Sequence, residues 1–176
     1  MVFSPTSAGS KSANLSIPSN DPDENPVNIA LSGTGASIVD TGQPNNPYPS
    51  IFGTHNGTIT PNVTIYTVSK LYTYPCQGTG GHSEYAAFYN ATTDEEIANG
   101  TWNGYQGAGD YHHIKLNVPF TLQANETYNY TIRTGSYPQI FHTDALQTAN
   151  GWINCTEFTD ANGKKYNNWI PAIRLE

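Results

Sequence analysis

Apolar and polar residues alternate with a period of two along most of this chain, and turns rich in Gly, Pro and Asn interrupt the alternation. Residues 63–74 are rich in Val, Ile, Thr and Tyr, and residues 84–89 alternate strictly. Because successive side chains of a strand point to opposite faces, this pattern predicts half-buried strands. Further candidate strands are Ile114–Val118, Tyr128–Ile132, Trp152–Phe158 and Trp169–Leu175. The pattern predicts an all-β, jelly-roll-like antiparallel β-sandwich over residues 51–176.

Composition excludes several classes of protein and partner. Aromatic residues make up 12% of the chain, which argues against disorder, and 16 Gly with 12 Pro argue against a helical bundle. A net charge of −7 repels phosphate backbones, so nucleic acid is not an expected partner. No apolar run approaches the roughly 20 residues of a membrane span, and the first residues lack a signal-peptide core. For an exported protein, the signal would then lie outside this chain.

The pattern divides the chain into three parts. Residues 1–35 contain two alternating segments, at 13–17 and 27–31, separated by a loop of Pro, Asn and Asp, which predicts a hairpin. Residues 36–50 include three prolines between 44 and 49 and form an expected Pro/Gly-rich linker. Residues 51–176 form the sandwich. Since a lone hairpin is marginal in water, the first part is expected to pair with strands that this chain does not contain.

Two regions of the chain carry a resemblance to known families. Phe3-Ser4-Pro5-Thr6, Ala8-Gly9 and the run LSIPSNDPDENPVNIALSGTG at 15–35 resemble the closing strands of immunoglobulin-like domains of the ASPM, SPD-2 and hydin type. The resemblance implies a partial domain and a longer cell-surface protein. Tyr74-Pro75-Cys76, residues 78–82 and residues 169–173 resemble uncharacterised domains of archaeal surface proteins, which imply no activity.

The segment Phe120–Tyr128 resembles a strand-turn-strand motif of extracellular β-sandwiches, including carbohydrate-binding modules. Asn125 stands where that motif usually has Gly. Asn enters the left-handed backbone region more readily than most residues, so the turn is expected to form.

Eight Asn-x-Ser/Thr sequences predict an exported glycoprotein, extracellular or on a cell surface. Their acceptor residues are Asn14, Asn56, Asn62, Asn90, Asn99, Asn125, Asn129 and Asn154. Cys76 and Cys155 are the only cysteines, and in such a compartment they indicate one disulfide. Two buried free thiols are the alternative.

Two pairs of residues are candidate metal ligands. His82 with Glu84, and His142 with Asp144, are each two residues apart, so on a strand each pair could share a face and bind zinc. Calcium would suit Glu157, Asp160 and Asn162, although a plain hairpin turn at residues 160–163 is favoured. No cofactor is firmly expected.

A loop rich in aromatic residues provides the candidate binding site. Rings exposed on a loop can stack on sugar faces while amide and carboxylate groups bind hydroxyls. The proposed contacts are Trp102, Asn103, Tyr105, Asp110 and Tyr111. The alternative is that the rings fold back as a cap over the end of the sandwich. Trp152 and Trp169 lie in strand-like sequence and are expected in the core.

These features favour a non-catalytic module of a larger surface protein, which binds carbohydrate or other envelope proteins. The glycine-rich residues 78–81 lack the Lys of a phosphate-binding loop, and no nucleophile elbow is present, so catalysis is not favoured. One alternative is a structural spacer without a small ligand. Another is a metal-dependent enzyme that uses the two His-x-carboxylate pairs.

Overall fold

The computed structural model describes residues 9–20, 23, 25–35, 37–45, 51–76, 78–104, 111–135 and 138–176. Contacts divide the chain into two compact units, Met1–Ser37 and Ile38–Glu176. Every strand pair in the described residues is antiparallel, and these residues contain no helix, so the predicted all-β fold is confirmed. None of the described residues forms a helix that could cross a membrane.

The first unit contains the predicted hairpin. Strands β1 (Gly9–Ile17) and β2 (Val27–Gly35) pair without a register shift. Opposed residues share a face, and six apolar residues fall on the same one. They form the pairs Ala13–Leu31, Leu15–Ile29 and Ile17–Val27. Ile17 and Ile29 remain more than 40% exposed, so this face is apolar and open to solvent.

The described residues of the second unit form thirteen strands. They are β3 (Val39–Asp40), β4 (Gly53–Pro61), β5 (Ile65–Thr73), β6 (Ser83–Asn90), β7 (Glu96–Thr101), β8 (His113–Leu122), β9 (Tyr128–Thr134), β10 (Ile140–Phe141), β11 (Ala145–Thr148), β12 (Gly151–Asp160), β13 (Lys165–Tyr166), β14 (Ile170–Pro171) and β15 (Ile173–Leu175). A seven-stranded sheet has the order β11-β12-β4-β9-β6-β7, with β13 also paired to β12. A four-stranded sheet has the order β3-β15-β5-β8, and β10 pairs with β14.

The core lies between the inner faces of these sheets. Strand β4 alternates without exception, its odd-numbered residues buried and its even-numbered residues partly exposed. Strand β9 follows the same rule, burying Tyr128, Tyr130 and Ile132. The four-stranded sheet contributes further fully buried aliphatic residues: Leu71, Ile114, Leu122, Ile173 and Leu175. This is the period-two burial that the sequence predicts.

A glycine allows the sheets to approach each other at one edge. A Cβ atom added at Gly100 of β7 would lie 2.5 Å from Ile114 Cγ2 and 2.6 Å from the Lys115 carbonyl oxygen of β8. The absence of a side chain therefore lets β7 pack directly against β8, although the two strands do not pair.

The second unit begins inside the expected linker. Strand β3 pairs with β15, and the Thr41 N–H donates to the Ile173 carbonyl oxygen at 3.0 Å. Tyr74 Oη also donates to Asp40 Oδ1 at 2.8 Å. Residues 38–41 are thus built into the four-stranded sheet, while residues 46–50 lie outside the described residues.

Two local turn predictions are confirmed. Asp160 Oδ1 accepts hydrogen bonds from the N–H groups of Asn162 and Lys164, and Gly163 has a φ of 80° between β12 and β13. Asn125 has a φ of 64°, in the left-handed region. The prediction that Trp152 lies in the core is wrong, since it is 45% exposed on β12. Trp169 packs against the core, stacked on Phe158.

Candidate ligand-binding face

The outer face of the seven-stranded sheet is polar. Opposed residues of antiparallel strands share a face, so the register assigns each outward side chain to a row across the sheet. The central strand β4 contributes Thr54, Asn56, Thr58 and Thr60. On one side, β9 contributes Asn129, Thr131 and Arg133, and β6, the next strand beyond it, contributes Tyr85, Ala87 and Tyr89. On the other side, β12 contributes Trp152, Asn154, Glu157 and Thr159.

Asn and Thr lie opposite each other on β9 and β4 in two successive rows, which β12 extends with Asn154 in one row and Glu157 in the other. One row contains Asn129, Thr58 and Asn154, and in it Asn154 Nδ2 donates to Thr58 Oγ1 at 3.3 Å. In the next row, Thr131 Oγ1 donates to Asn56 Oδ1 at 2.8 Å. We call this arrangement the Asn/Thr ladder. Its hydrogen bonds hold amide and hydroxyl groups in fixed positions on a partly exposed surface.

A groove of about 440 Å³ lies over the ladder. Its lining residues are Asn56, Gly57, Tyr89, Asp94, Asn129, Tyr130, Thr131 and Thr156. Beneath it, the fully buried Tyr130 donates its hydroxyl to the Asn154 carbonyl oxygen at 3.1 Å. Burial raises the pKa of Tyr130 far above its usual range, so this support stays neutral.

The rim of the groove combines a phenol with a carboxylate. Burial raises the pKa of Tyr89, and so do its hydrogen bonds with the Tyr85 and Glu96 side chains, so its hydroxyl stays protonated and is held by these neighbours. Asp94 lies in the turn after β6 with a φ of 58°. Its N–H donates to the Asn90 carbonyl oxygen at 2.8 Å, which fixes the turn. The rim therefore offers the aromatic ring of Tyr89 and, in the Asp94 carboxylate, a strong acceptor.

A second depression of about 230 Å³ adjoins the groove and shares Thr156 with it. Its other lining residues are Glu157, Lys165, Tyr166 and Asn167. Lys165 Nζ pairs with Glu157 Oε2 at 2.8 Å. The two depressions run across β6, β9, β4, β12 and β13, and four strand spacings of about 4.8 Å give a span of about 19 Å.

The described part of the predicted aromatic loop packs as a cap. The half-buried Trp102 ring stacks on His82 at 3.9 Å between centroids, and its Nε1–H donates to the Tyr111 carbonyl oxygen at 2.8 Å. Tyr111 contacts both rings edge-on. Asn103 is exposed. This arrangement corresponds to the alternative interpretation of the loop, while Tyr105 and Asp110 lie outside the described residues.

His82 takes part in this cap. It is 8% exposed, and its Nδ1–H donates to the Gly80 carbonyl oxygen at 2.7 Å. A Cβ atom on Gly135 would lie 2.6 Å from His82 Nε2, so a glycine at that position makes room for the ring. The glycine-rich segment thus supplies a hydrogen-bond acceptor that orients the imidazole.

The structure does not bring the four metal candidates together. Glu84 is exposed and forms an ion pair with Arg133 at 3.0 Å, whereas His82 is buried beneath Trp102. His142 lies edge-on against Trp169 at 4.8 Å. Within the described ranges, no three His, Cys, Asp or Glu side chains form a group that could hold a metal ion, so His82, Glu84, His142 and Asp144 are not one site.

The calcium candidates have structural partners. Asp160 binds the turn N–H groups through Oδ1 and accepts from Tyr166 Oη through Oδ2 at 3.4 Å. Glu157 forms its ion pair with Lys165. The backbone N–H of Asn162 is one of the two that donate to Asp160 Oδ1. All three calcium candidates therefore have structural roles in the β12–β13 hairpin.

The disulfide prediction is wrong, because Cys76 and Cys155 are both free and buried. Cys155 lies on the inner face of β12 as part of the core, while Cys76 follows β5, with its Sγ 4.0 Å from the Pro138 carbonyl oxygen. The two residues thus occupy different packing environments. Burial raises the pKa of both thiols, which disfavours the nucleophilic thiolate.

No model of a known protein family matches the chain, and no curated protein matches it. The sequence interpretation missed the Asn/Thr ladder because its three strands come together only through the sheet order β12-β4-β9. A signal was present, since Asn56-x-Thr58, Asn129-x-Thr131 and Asn154-x-Thr156 each place two polar side chains on the same face of a strand.

Proposed function

We propose that the second unit is a non-catalytic carbohydrate-binding module whose ligand lies across the outer face of the seven-stranded sheet. The groove over the Asn/Thr ladder is the observation that carries this proposal. Its 440 Å³ volume lies within the range of small-ligand sites, and its amide, hydroxyl and carboxylate groups match the hydroxyl-rich surface of a sugar.

Aromatic rings on the same face support a sugar ligand. Tyr89 lines the groove, and Trp152 is 45% exposed beside Thr60. Exposed rings of this kind can cover the apolar faces of pyranose rings while neighbouring polar groups bind the hydroxyls. Trp102, by contrast, has one ring face covered by His82.

The carboxylates favour binding over hydrolysis. Glycoside hydrolysis usually requires two carboxyl groups that flank the scissile bond. Asp94 is the single carboxylate in the described lining of the main groove. It can accept hydrogen bonds from two adjacent hydroxyls, which is a recognition role.

We place this module in a larger extracellular or cell-surface protein, in which it would mediate adhesion to carbohydrate or to envelope components. The Asn-x-Ser/Thr sequences and the immunoglobulin-like resemblance of residues 1–35 support this setting. The solvent-exposed apolar face of the hairpin is consistent with a segment that packs against further β-structure.

A glycan array followed by calorimetry on a positive glycan tests the proposal. We expect Tyr89→Ala, Asn129→Ala and Thr131→Val each to weaken binding about 5- to 20-fold, since each removes one or two hydrogen bonds or a stacking surface. Thr54→Val, on the same face but outside the groove lining, is the matched control and should bind as the parent does. Failure of the parent to bind any glycan would favour a structural spacer.

A further inference from the structure

We infer that the Asn-x-Ser/Thr sequences of the second unit fall into three structural groups, and that Asn62 and Asn125, which form one of them, are the N-glycan acceptors of the folded protein. Asn56, Asn129 and Asn154 belong instead to the Asn/Thr ladder. This inference concerns a modification site and does not depend on the proposed ligand.

The three ladder sequences lie in strands that are paired on both sides. Strand β4 lies between β12 and β9, β9 lies between β4 and β6, and β12 lies between β11 and β4. A glycosyl transferase must bind the acceptor segment as an accessible stretch of backbone. Withdrawing a strand that is paired on both sides breaks the backbone hydrogen bonds to two neighbouring strands. The free energy of opening such a strand therefore approaches that of global unfolding.

Side-chain contacts add to this protection. Asn56 Oδ1 accepts from Thr131 Oγ1, and Asn154 Nδ2, the atom that would carry a glycan, donates to Thr58 Oγ1. Thr58 and Thr131 are themselves the hydroxyl residues of two of these sequences. The acceptor sequences on β9 and β12 are thus each hydrogen-bonded through a side chain to the acceptor sequence on β4 between them.

Asn62 and Asn125 are exposed and lie in turns. Asn62 follows the end of β4 at Pro61, and Asn125 lies in the turn between β8 and β9. The Asn125 N–H donates to the Pro61 carbonyl oxygen at 2.7 Å, so the two turns are neighbours at the same end of the sandwich. The hydroxyls of these two sequences also have partners, since Thr64 Oγ1 accepts from the Ala124 N–H at 3.3 Å and Thr127 Oγ1 lies 3.0 Å from Thr60 Oγ1. Opening the turns breaks such local bonds but no strand pairing, so it costs less free energy than opening the ladder strands. Glycans there would lie beyond the rows that form the groove.

The remaining two sequences of this unit are constrained by their own side chains. Asn90 Oδ1 accepts from the N–H groups of Thr92 and Thr93 at 2.8 and 3.1 Å, and thereby holds the turn after β6. Asn99 Nδ2 donates to Glu96 Oε1 at 2.5 Å. Asn14 belongs to the separate hairpin unit and is not part of this inference.

The test uses full-length protein made in a bacterial host that does not glycosylate it. The folded protein is incubated with a single-subunit oligosaccharyltransferase that accepts Asn-x-Ser/Thr and with its lipid-linked donor, and glycopeptide mass spectrometry gives the initial rate at each site. Synthetic peptides that span each sequence give the rate without structure. The ratio of the folded rate to the peptide rate is the quantity compared.

We expect this ratio to be at least about tenfold higher for Asn62 and Asn125 than for Asn56, Asn129 and Asn154, because only the first two sites are reached by local opening. Asn62→Gln and Asn125→Gln should each remove one glycan and leave the other. The inference is overturned if any other Asn-x-Ser/Thr site of the second unit, Asn90 and Asn99 included, has a ratio within about threefold of the turn sites, or if either turn site is as protected as the ladder sites.

Discussion

The hydroxyl oxygen of Tyr128 accepts a hydrogen bond from the backbone N–H of Gln123 at 2.9 Å. The same hydroxyl donates to Glu126 Oε2 at 3.1 Å. Tyr128 is 4% exposed, and burial raises the pKa of its hydroxyl, which keeps the group neutral. The phenol thus ties the start of β9 to the end of β8 across the turn that contains Asn125.

Removal of this hydroxyl should destabilise the second unit. We expect Tyr128→Phe to lower the free energy of unfolding by about 1–2 kcal/mol, because it leaves the Gln123 N–H without its partner. Urea unfolding followed by tryptophan fluorescence measures the change. Tyr66→Phe is the matched control, since Tyr66 is 74% exposed, and it should be neutral. Equal stability of Tyr128→Phe and the parent would show that the bond contributes nothing.

The stability of the second unit should depend on how readily residue 125 adopts the left-handed backbone conformation. With a φ of 64°, Asn125→Gly should be neutral or slightly stabilising, whereas Asn125→Val should cost about 1–2 kcal/mol because a β-branched residue is strained there. Thermal or urea unfolding ranks the three proteins. A valine variant as stable as the glycine variant would contradict the left-handed conformation.

His55 should make the second unit sensitive to acid. It is fully buried, stacks on Phe158 at 4.2 Å, and its Nδ1–H donates to the Trp169 carbonyl oxygen at 3.1 Å, while Nε2 has no partner among the described residues. Burial lowers the pKa of His55 from 6.5 to about 3, partly offset by the bond to Trp169.

Between those two pKa values the unfolded chain binds a proton that the folded chain does not. His55 therefore leaves the free energy of unfolding unchanged above about pH 6.5. As the pH falls from 6.5 toward 3, it lowers that free energy by about 1.4 kcal/mol per pH unit. Urea unfolding at a series of pH values measures this slope, and His55→Phe should flatten it. A slope unchanged in the variant would assign the acid sensitivity to other groups.

The two thiols should be unreactive in the folded state. Because Cys76 and Cys155 are buried and free, a thiol-specific reagent should react only slowly with the native protein. After unfolding, the same reagent should react rapidly with two thiols per chain. A reducing agent should leave the melting temperature unchanged. A fall in melting temperature on reduction would instead indicate a disulfide.

Ligand length should report how much of the outer face is used, provided that the module binds carbohydrate. A chain across both depressions would span about 19 Å, so affinity should rise with the number of sugar units up to about four and then level off. Asn167→Ala, in the smaller depression, should weaken binding of long oligosaccharides alone. If affinity is the same for one unit and for four, the second depression is not part of the site.

The sequence alone determined the local structure of this protein. The hairpin of β1 and β2, the strict alternation in β4 and the turn at Asp160 all follow from preferences that act between residues close in the chain. The left-handed conformation of Asn125 belongs to the same class, since it depends on one residue and its turn. These features could be predicted without knowledge of the strand order.

The tertiary structure alone decided what each strand face meets. Trp152 and Ile153 are neighbours in one strand, yet the first is exposed and the second is buried. Cys76 and Cys155 remain apart, and the loop ring of Trp102 covers His82. The Asn/Thr ladder exists because β4, β9 and β12 become neighbours in the sheet. Alternation fixes which residues share a face, whereas long-range pairing, which leaves no local pattern, fixes what lies opposite them.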